Sequence, residues 1–314
     1  MKTFDAVIVG GGPGGLAAAL ALGRGRASAL LIDGGTPRNA RAHAVHTFVT
    51  RDGTPPADFR AIAREQLRAY PSIELRDAIV SRIDRLATAA DDGAAFGVHA
   101  GAETVRARRV LLTTGVRDEL PAIPGLAGLW GRTVFQCPYC HGWELRDRPW
   151  GVLASSEMMA AFASLVTNWA SHVTAFTNGA SLSPEAIEKL CEDGITIVEE
   201  PIARLHGRGE AITSVELTSG RLVSCEAFAM RPAQRPVDLV TQLGLELDET
   251  GFVRIQLPSR ESSVPGIHVA GDATTMMQSA IIAAAEGTIA ATMMNHVLVE
   301  ARLARNRAAG HRTR

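Results

Sequence analysis

Along this chain the spacing of apolar positions changes from one block to the next. Residues 5–10 (DAVIVG) form an unbroken apolar run, a cluster of glycines follows, and 15–24 (GLAAALALGR) carries small and apolar residues at helical spacing. A second apolar run, 28–33 (SALLID), comes next. Continuous runs of this length on either side of a helical block predict two buried parallel strands joined by a helix. Helical spacing resumes over 56–70 (PADFRAIAREQLRAY), closed by Pro71. Shorter runs then predict strands within 73–83, 94–100 and 106–115, and 266–287 (GIHVAGDATTMMQSAIIAAAEG) predicts a strand, a Gly271-Asp272 turn and a long apolar helix.

The glycines between the first strand and helix have a chemical reading. Gly10, Gly12 and Gly15 stand at GxGxxG spacing. The first allows a tight turn, the second lets backbone N–H groups approach a pyrophosphate, and the third lets helix and strand pack closely. Asp33 ends the second strand, where a carboxylate can bind a ribose hydroxyl. Two segments more than 150 residues apart thus look built for one nucleotide site. The expected fold is α/β, with two Rossmann-like, doubly wound, three-layer domains. The nucleotide domain is discontinuous (1–118 and 232–314), and 119–231 is inserted into it.

Composition narrows the partners. The 314 residues carry a formal net charge of -1, so no broad basic field exists to hold nucleic acid or anionic lipid. The basic stretch 301–314 reads as a frayed terminus. No signal peptide is evident, which predicts a cytoplasmic protein. The apolar 279–299 is interrupted by Glu286, Asn295 and His296, which marks a core helix rather than a membrane span.

Four cysteines in a reducing compartment direct attention to thiol chemistry. Cys137 and Cys140 lie two residues apart, followed by His141 (FQCPYCHGWE, 135–144). Pro138 favours a helix start there, and a helix N-terminus favours thiolate over thiol. The pair can be a redox disulfide, a metal anchor or a haem attachment. Export normally accompanies haem attachment, and zinc wants two more ligands, whereas Cys191 and Cys225 are isolated and read as buried small hydrophobes. Redox use is therefore preferred and no metal is expected. Trp143 and Trp150 flank the pair, and core packing is the expected role of each.

GGGPGG at 10–15, TTG at 113–115, CPYC at 137–140 and VPGIHVAGDA from Val264 together resemble the low-molecular-weight thioredoxin reductases over nearly the whole chain. The resemblance implies FAD, held by Gly10, Gly12, Gly15, Asp33, Gly115, Gly271 and Asp272, and it also implicates Pro13, Arg38, Val80, Thr114 and Gln278. The helix after Asp272 would aim its N-terminus at the flavin, with Met276 and Met277 nearby, for which core packing is the plainer role. Cys140 would lie against the flavin and Cys137 would face the substrate. His141 stands where those reductases place an acidic residue, and an imidazole titrating near neutrality suits a base for an incoming thiol. His43 and His46 can reach the same cleft, with no role assigned. A homodimer is also implied.

The inserted domain departs from the reductase pattern. In 150–179 (WGVLASSEMMAAFASLVTNWASHVTAFTNG), Ala154, Ser156 and Met159 stand where a second glycine turn would be. Thr177, Asn178 and Gly179 replace the cluster that would grip a 2'-phosphate. Losing two arginine contacts alone removes about 3 to 6 kcal/mol of binding. The pattern therefore resembles the thioredoxin-reductase-like dithiol oxidases that close disulfides in natural products such as gliotoxin, holomycin and romidepsin, with dioxygen as acceptor. The alternative is a thioredoxin-disulfide reductase driven by NAD(P)H or ferredoxin.

Overall fold

The computed structural model describes residues 1–86 and 93–311. The chain divides into two compact units: Met1–Ala40, Thr54–Arg117 and Gln234–Arg314 form the first, and Arg41–Gly53 with Asp118–Ala233 form the second. The sequence-based division differs in one substantial way, since it leaves 41–53 in the first unit. The structure groups this loop with the second because the Arg41 guanidinium donates to the Ala127 and Gly128 carbonyls at 2.6 Å each.

The chain begins with β1 (Thr3–Val9), α1 (Pro13–Arg24), β2 (Ala29–Asp33), α2 (Pro56–Leu67), β3 (Ile73–Asp77), β4 (Val80–Arg85), β5 (Phe96–Ala100), β6 (Glu103–Leu112) and β7 (Val116–Glu119). α2 stops short of Tyr70, because turns take over there: Tyr70 N–H donates to the Leu67 carbonyl and Ile73 N–H to that of Tyr70, both at 3.0 Å. The second unit contributes α3 (Leu126–Leu129), β8 (Val134–Phe135), α4 (Pro138–His141), β9 (Pro149–Leu153), α5 (Glu157–Val166), β10 (His172–Phe176) and α6 (Pro184–Glu192). It continues with β11 (Thr196–Val198), β12 (Ile202–Arg208), β13 (Ala211–Leu217), β14 (Leu222–Ser224) and β15 (Ala227–Ala229). The chain returns through β16 (Ala233–Pro236), which pairs with β7, to α7 (Asp238–Gln242), β17 (Ile267–Val269), a 3-10 turn at Asp272–Thr274 and α8 (Ala280–His311).

In the first unit β3, β2, β1 and β6 run parallel in that order. The second half of β6 pairs in parallel with β17, and its first half pairs antiparallel with β5, which in turn pairs with β4. Strand alternation sends Ala6, Ile8 and Leu31 to one face, against Leu16, Ala19 and Leu22 of α1 and Ala290, Ala291 and Met294 of α8. Val7, Val9 and Ile32 face the other way, onto Val80, Ile83, Phe96 and Val98 of the β4–β5 hairpin. Three layers result, and the outer one on this second side is built of strands rather than helices. Each fully buried aliphatic side chain contributes roughly 1.5–3 kcal/mol.

α8 is long and apolar enough by length and composition to cross a membrane. It is nonetheless a packing helix on one face: a Cβ on Gly287 would lie 2.0 Å from the Gly14 carbonyl oxygen, so the two backbones touch. Residues 301–311, expected to fray, continue this helix, and 312–314 lie outside the described residues.

The second unit has five parallel strands in the order β11-β10-β9-β15-β8 and a separate antiparallel sheet β12-β13-β14. Met159, Ala160 and Ala163 of α5 and Leu190 of α6 cover one face. Leu205, Ile212 and Val215 of the small sheet cover the other.

Candidate active site

The turn between β1 and α1 leaves its amides open. Gly10 sits at φ +111° with a position for Cβ only 2.5 Å from the Thr113 carbonyl oxygen, which admits glycine alone. A Cβ on Gly15 would come within 1.9 Å of the Gly10 carbonyl oxygen. By contrast, a Cβ on Gly12 would meet nothing within 4 Å, and no side chain caps the helix that starts at Pro13. An uncapped helix start with open space before it is a site for an anion. Thr113 Oγ1 donates to the Val9 and Gly10 carbonyls, at 3.1 and 2.9 Å, and fixes the turn from behind. Next to it, Thr114 Oγ1 is buried without a hydrogen-bond partner, and Gly115 has open space where a side chain would be.

Asp33 closes β2 and is buried. Burial alone would raise its carboxyl, but the Gly35 N–H, the Arg60 guanidinium and the Gly11 N–H together hold it below the usual carboxylate range. Arg38 pairs with Asp272 at 2.9 Å and donates to Gln278 Oε1 at 2.7 Å, so the segment after β2 meets the one after β17. Gln278 also exchanges amide hydrogen bonds with Gln234. Val80 turns its side chain into the core, and in the β4–β5 ladder it stands opposite Ala100.

The Gly271 turn hangs on a buried carboxylate. Glu286 accepts from Gly271 N–H at 2.7 Å and from Thr274 Oγ1 at 3.0 Å, and pairs with Arg260 at 3.0 Å. The expected helix directly after Asp272 is instead a 3-10 turn, and α8 starts at Ala280, with Ser279 Oγ accepting from Ile282 N–H. Met276 and Met277 are 42% and 69% exposed, so neither packs in the core.

The open α1 amides, the unpartnered Thr114 hydroxyl and the Asp33 carboxylate fit FAD. Gly12 would let the pyrophosphate approach the Gly14 and Gly15 amides, Pro13 would preset the turn without donating, and Asp33 would hold the ribose.

In the second unit the equivalent turn, between β9 and α5, is closed. Ser156 is the N-cap of α5 and its side chain accepts from Met159 N–H at 3.4 Å. Glu157 occupies the first turn and its carboxylate receives Ser183 N–H at 2.7 Å. Ala154 is buried, and Met159 packs in the core under the helix rather than in the turn. At the end of β10, Asn178 Oδ1 accepts from Ile202 N–H at 2.8 Å, and no residue of 177–179 carries a charge.

Cys137 and Cys140 are joined as a disulfide, with Cys137 as N-cap of α4 and Pro138 in its first turn. His141 ends this short helix and stacks flat on Phe135, with ring centroids 5.1 Å apart and planes within 7°. Both of its ring nitrogens are buried. Burial pushes its pKa below the ordinary value. The Cys137 and Gly131 main chain and the Glu144 carboxylate offset this in part, while His46 adds to it. The shift favours the neutral imidazole, which has one lone pair to accept a proton.

A cavity of about 260 Å³ opens on Cys140 and His141, and the 41–53 loop brings His43 and His46 into its wall. Trp150 is buried, its Nε1–H donating to the Leu145 carbonyl at 2.9 Å, but Trp143 is 66% exposed and lies under the Arg146 guanidinium rather than in the core. Cys191 is exposed on α6, contrary to expectation. Cys225 is buried between β14 and β15, where desolvation pushes its thiol up to about 12. Glu286, Thr113, Arg60 and Gln234 escaped sequence reasoning as site residues. Glu286 left a signal, a lone charge in an apolar helix, and Thr113 stood inside the TTG motif at 113–115.

Two dinucleotide-type folds, one carrying a disulfide at a helix start, define a flavin- and disulfide-dependent oxidoreductase. Residues 4–287 match the family described as pyridine nucleotide-disulphide oxidoreductase, and the chain belongs to it. It is an FAD-binding flavoprotein of the thioredoxin reductase-like type that acts on dithiol or disulfide groups. It is 33% identical over 305 residues to thioredoxin reductase aclD of Aspergillus oryzae, covering 92% of this chain and 94% of that one. To thioredoxin reductase sirT of Leptosphaeria maculans it is 32% identical over 309 residues, covering 93% of each. Among solved structures, HlmI superposes with a TM-score of 0.92 at 33% identity, covering 99% of this chain and 97% of that one.

Proposed function

We propose that the protein is a dithiol oxidase that closes a disulfide in a small-molecule dithiol, with dioxygen as final acceptor and hydrogen peroxide as product. The observation that carries this reading is the closed α5 start. Its cap amide is taken by Ser156 and its first turn holds the Glu157 carboxylate, which repels a pyrophosphate where a nicotinamide donor would need attraction. Electrons then have to enter from a thiol.

One substrate thiol gives its proton to His141 and its sulfur attacks Cys137, breaking the Cys137–Cys140 bond. Cys137, at the start of α4, exchanges with the substrate, and Cys140 leaves as thiolate beside the cavity. The second thiol resolves the mixed disulfide and releases the product. FAD, when bound, supplies a two-electron acceptor that dioxygen can reoxidise. A homodimer belongs to the same reading and is checked by sedimentation.

The test is oxygen uptake by the holoenzyme with a panel of dithiols, with and without NADPH. Dithiol-dependent peroxide without any NADPH requirement supports the reading. Rapid, saturable bleaching of the flavin by anaerobic NADPH, or full turnover by Cys140→Ser, sinks it. The names of the curated relatives favour a second reading, reduction of a thioredoxin-like disulfide. NADPH bleaching is the outcome that would select it.

A further inference from the structure

The carboxylate assigned to the FAD ribose is already crowded with donors. Asp33 Oδ1 accepts the Gly35 N–H at 3.0 Å, the Gly11 N–H donates to the same carboxylate, and the Arg60 guanidinium reaches Oδ2. A side chain on Gly11 would overlap the Asp33 carboxylate, so the acid is wedged against the pyrophosphate turn itself. An ionised carboxylate offers about four acceptor positions. Protein donors take three of them, which leaves one for a ribose hydroxyl. Protonation would replace an acceptor position with a donor at this crowded spot, so it is the ionised form that can receive the hydroxyl.

Two arginines one turn apart on α2 face this acid, and their partners separate their roles. Arg64 is held in a two-point ion pair by Asp77 of β3, at 2.8 and 3.1 Å, and stays 3.7 Å from Asp33. Asp77 is the register partner of Asp33 on the neighbouring strand, so Arg64 neutralises the second negative charge beside the site. Arg60, by contrast, pairs with Asp33 itself. Its Nε–H is buried with no acceptor among the described residues, an arrangement unfavourable to stability. Packing alone gives no reason for an arginine here. Burial pushes the Asp33 carboxyl up, and the Gly35 amide, the Arg60 guanidinium and the Gly11 amide together more than reverse it.

The geometry points to Arg60 as a positioning residue of the cofactor site, whose guanidinium keeps Asp33 ionised and fixed with one acceptor position left for the ribose. Arg60 acts through Asp33 and needs no contact with FAD of its own. The inference depends on Asp33 as the ribose partner and is independent of the dithiol-oxidase reading. Its consequence is an FAD affinity that stays level from neutral to mildly acidic pH. A buried acid without its cation would begin to take up protons in that range and lose its hold on the hydroxyl.

The experiment titrates FAD into the full-length chain stripped of flavin, followed by flavin fluorescence between about pH 5 and about pH 8, with melting temperature as the folding control. The variants are Arg60→Gln, Arg60→Lys, Asp33→Asn, the double variant Asp33→Asn with Arg60→Gln, which leaves no buried charge unpaired, and Arg68→Gln. Arg68 sits at the exposed end of α2, paired with Glu65. Arg60→Gln should weaken FAD binding by about 10-fold near neutrality, the loss of one charge-assisted hydrogen bond, and the loss relative to wild type should grow as pH falls. Arg60→Lys keeps a cation and should bring back most of the level profile, and Arg68→Gln should match wild type. In the Asp33→Asn background, Arg60→Gln should change affinity by less than about 2-fold, because Arg60 then has no carboxylate to act on. Wild-type affinity and pH profile in Arg60→Gln, or losses that simply add in the double variant, overturn the positioning role and leave Asp33 in place. Unchanged affinity in Asp33→Asn overturns the ribose partner and Arg60 together, with the oxidase reading untouched.

Discussion

The starts of α1 and α5 occupy equivalent places in their units, each directly after a central strand of a parallel sheet, yet they treat their first-turn amides in opposite ways. At α1 the residue before the helix is a glycine with open space beside it. At α5 it is a serine whose own hydroxyl binds the helix, followed by a glutamate. Strand, turn and helix are the same in both. The difference shows that a dinucleotide fold and a dinucleotide site are separable: the fold needs buried strands and a packed helix, whereas the site needs amides that nothing else has claimed.

The largest effect is expected from cutting the tie that supports the open site. Glu286→Ala removes the acceptor of Gly271 N–H and strands Arg260 in a buried setting, which should cost about 3–5 kcal/mol of stability. Urea unfolding of the two proteins measures it, and a loss under 1 kcal/mol would contradict the role given to this pair. Next in size, Gly12→Asp gives α1 the self-closing chemistry of α5. FAD affinity should drop by about 100-fold, or about 2.7 kcal/mol, in a fluorescence titration of apoprotein. Retention of wild-type affinity would dissolve the contrast.

Ser156→Ala should destabilise by about 1 kcal/mol through the lost cap, and Ser156→Gly should still give no saturable NADPH binding, because 177–179 supplies no cation. The smallest effect concerns His141. Its folded pKa lies below the ordinary 6.5, so as pH falls through 6.5 the unfolded chain takes up a proton that the folded chain resists. This contribution costs stability on the acid side only and levels off below the folded value. Subtracting the stability-pH curve of His141→Gln from that of wild type isolates it; a difference that grows above pH 7 would reverse the assignment.

Features with local causes were legible in the sequence. Gly10 and Gly15 are needed because neighbouring backbone leaves no room, and such a need prints itself on the spacing. The change of Gly to Ser at 156 could also be read, as a loss. Its positive role as a cap depends on a helix start that the sequence places only approximately. Contacts made by loops were not legible. The grouping of 41–53 with the second unit rests on Arg41 reaching two carbonyls of α3, and nothing in the loop's composition announces that. The same holds for His46, which stands between Asp52 and Glu144. Cys191 and Cys225 looked alike because an isolated cysteine reveals little about which way its helix or turn faces.

An enzyme that works on dithiol and disulfide groups endangers every thiol of its own chain. Cys225 is spared by seclusion: its sulfur lies within the wall of the second unit, directed at the Ala227 carbonyl at 2.9 Å, and holds its hydrogen up to about pH 12. Unable to become a nucleophile in working conditions, this one thiol cannot be drawn into the exchange that Cys137 and Cys140 conduct.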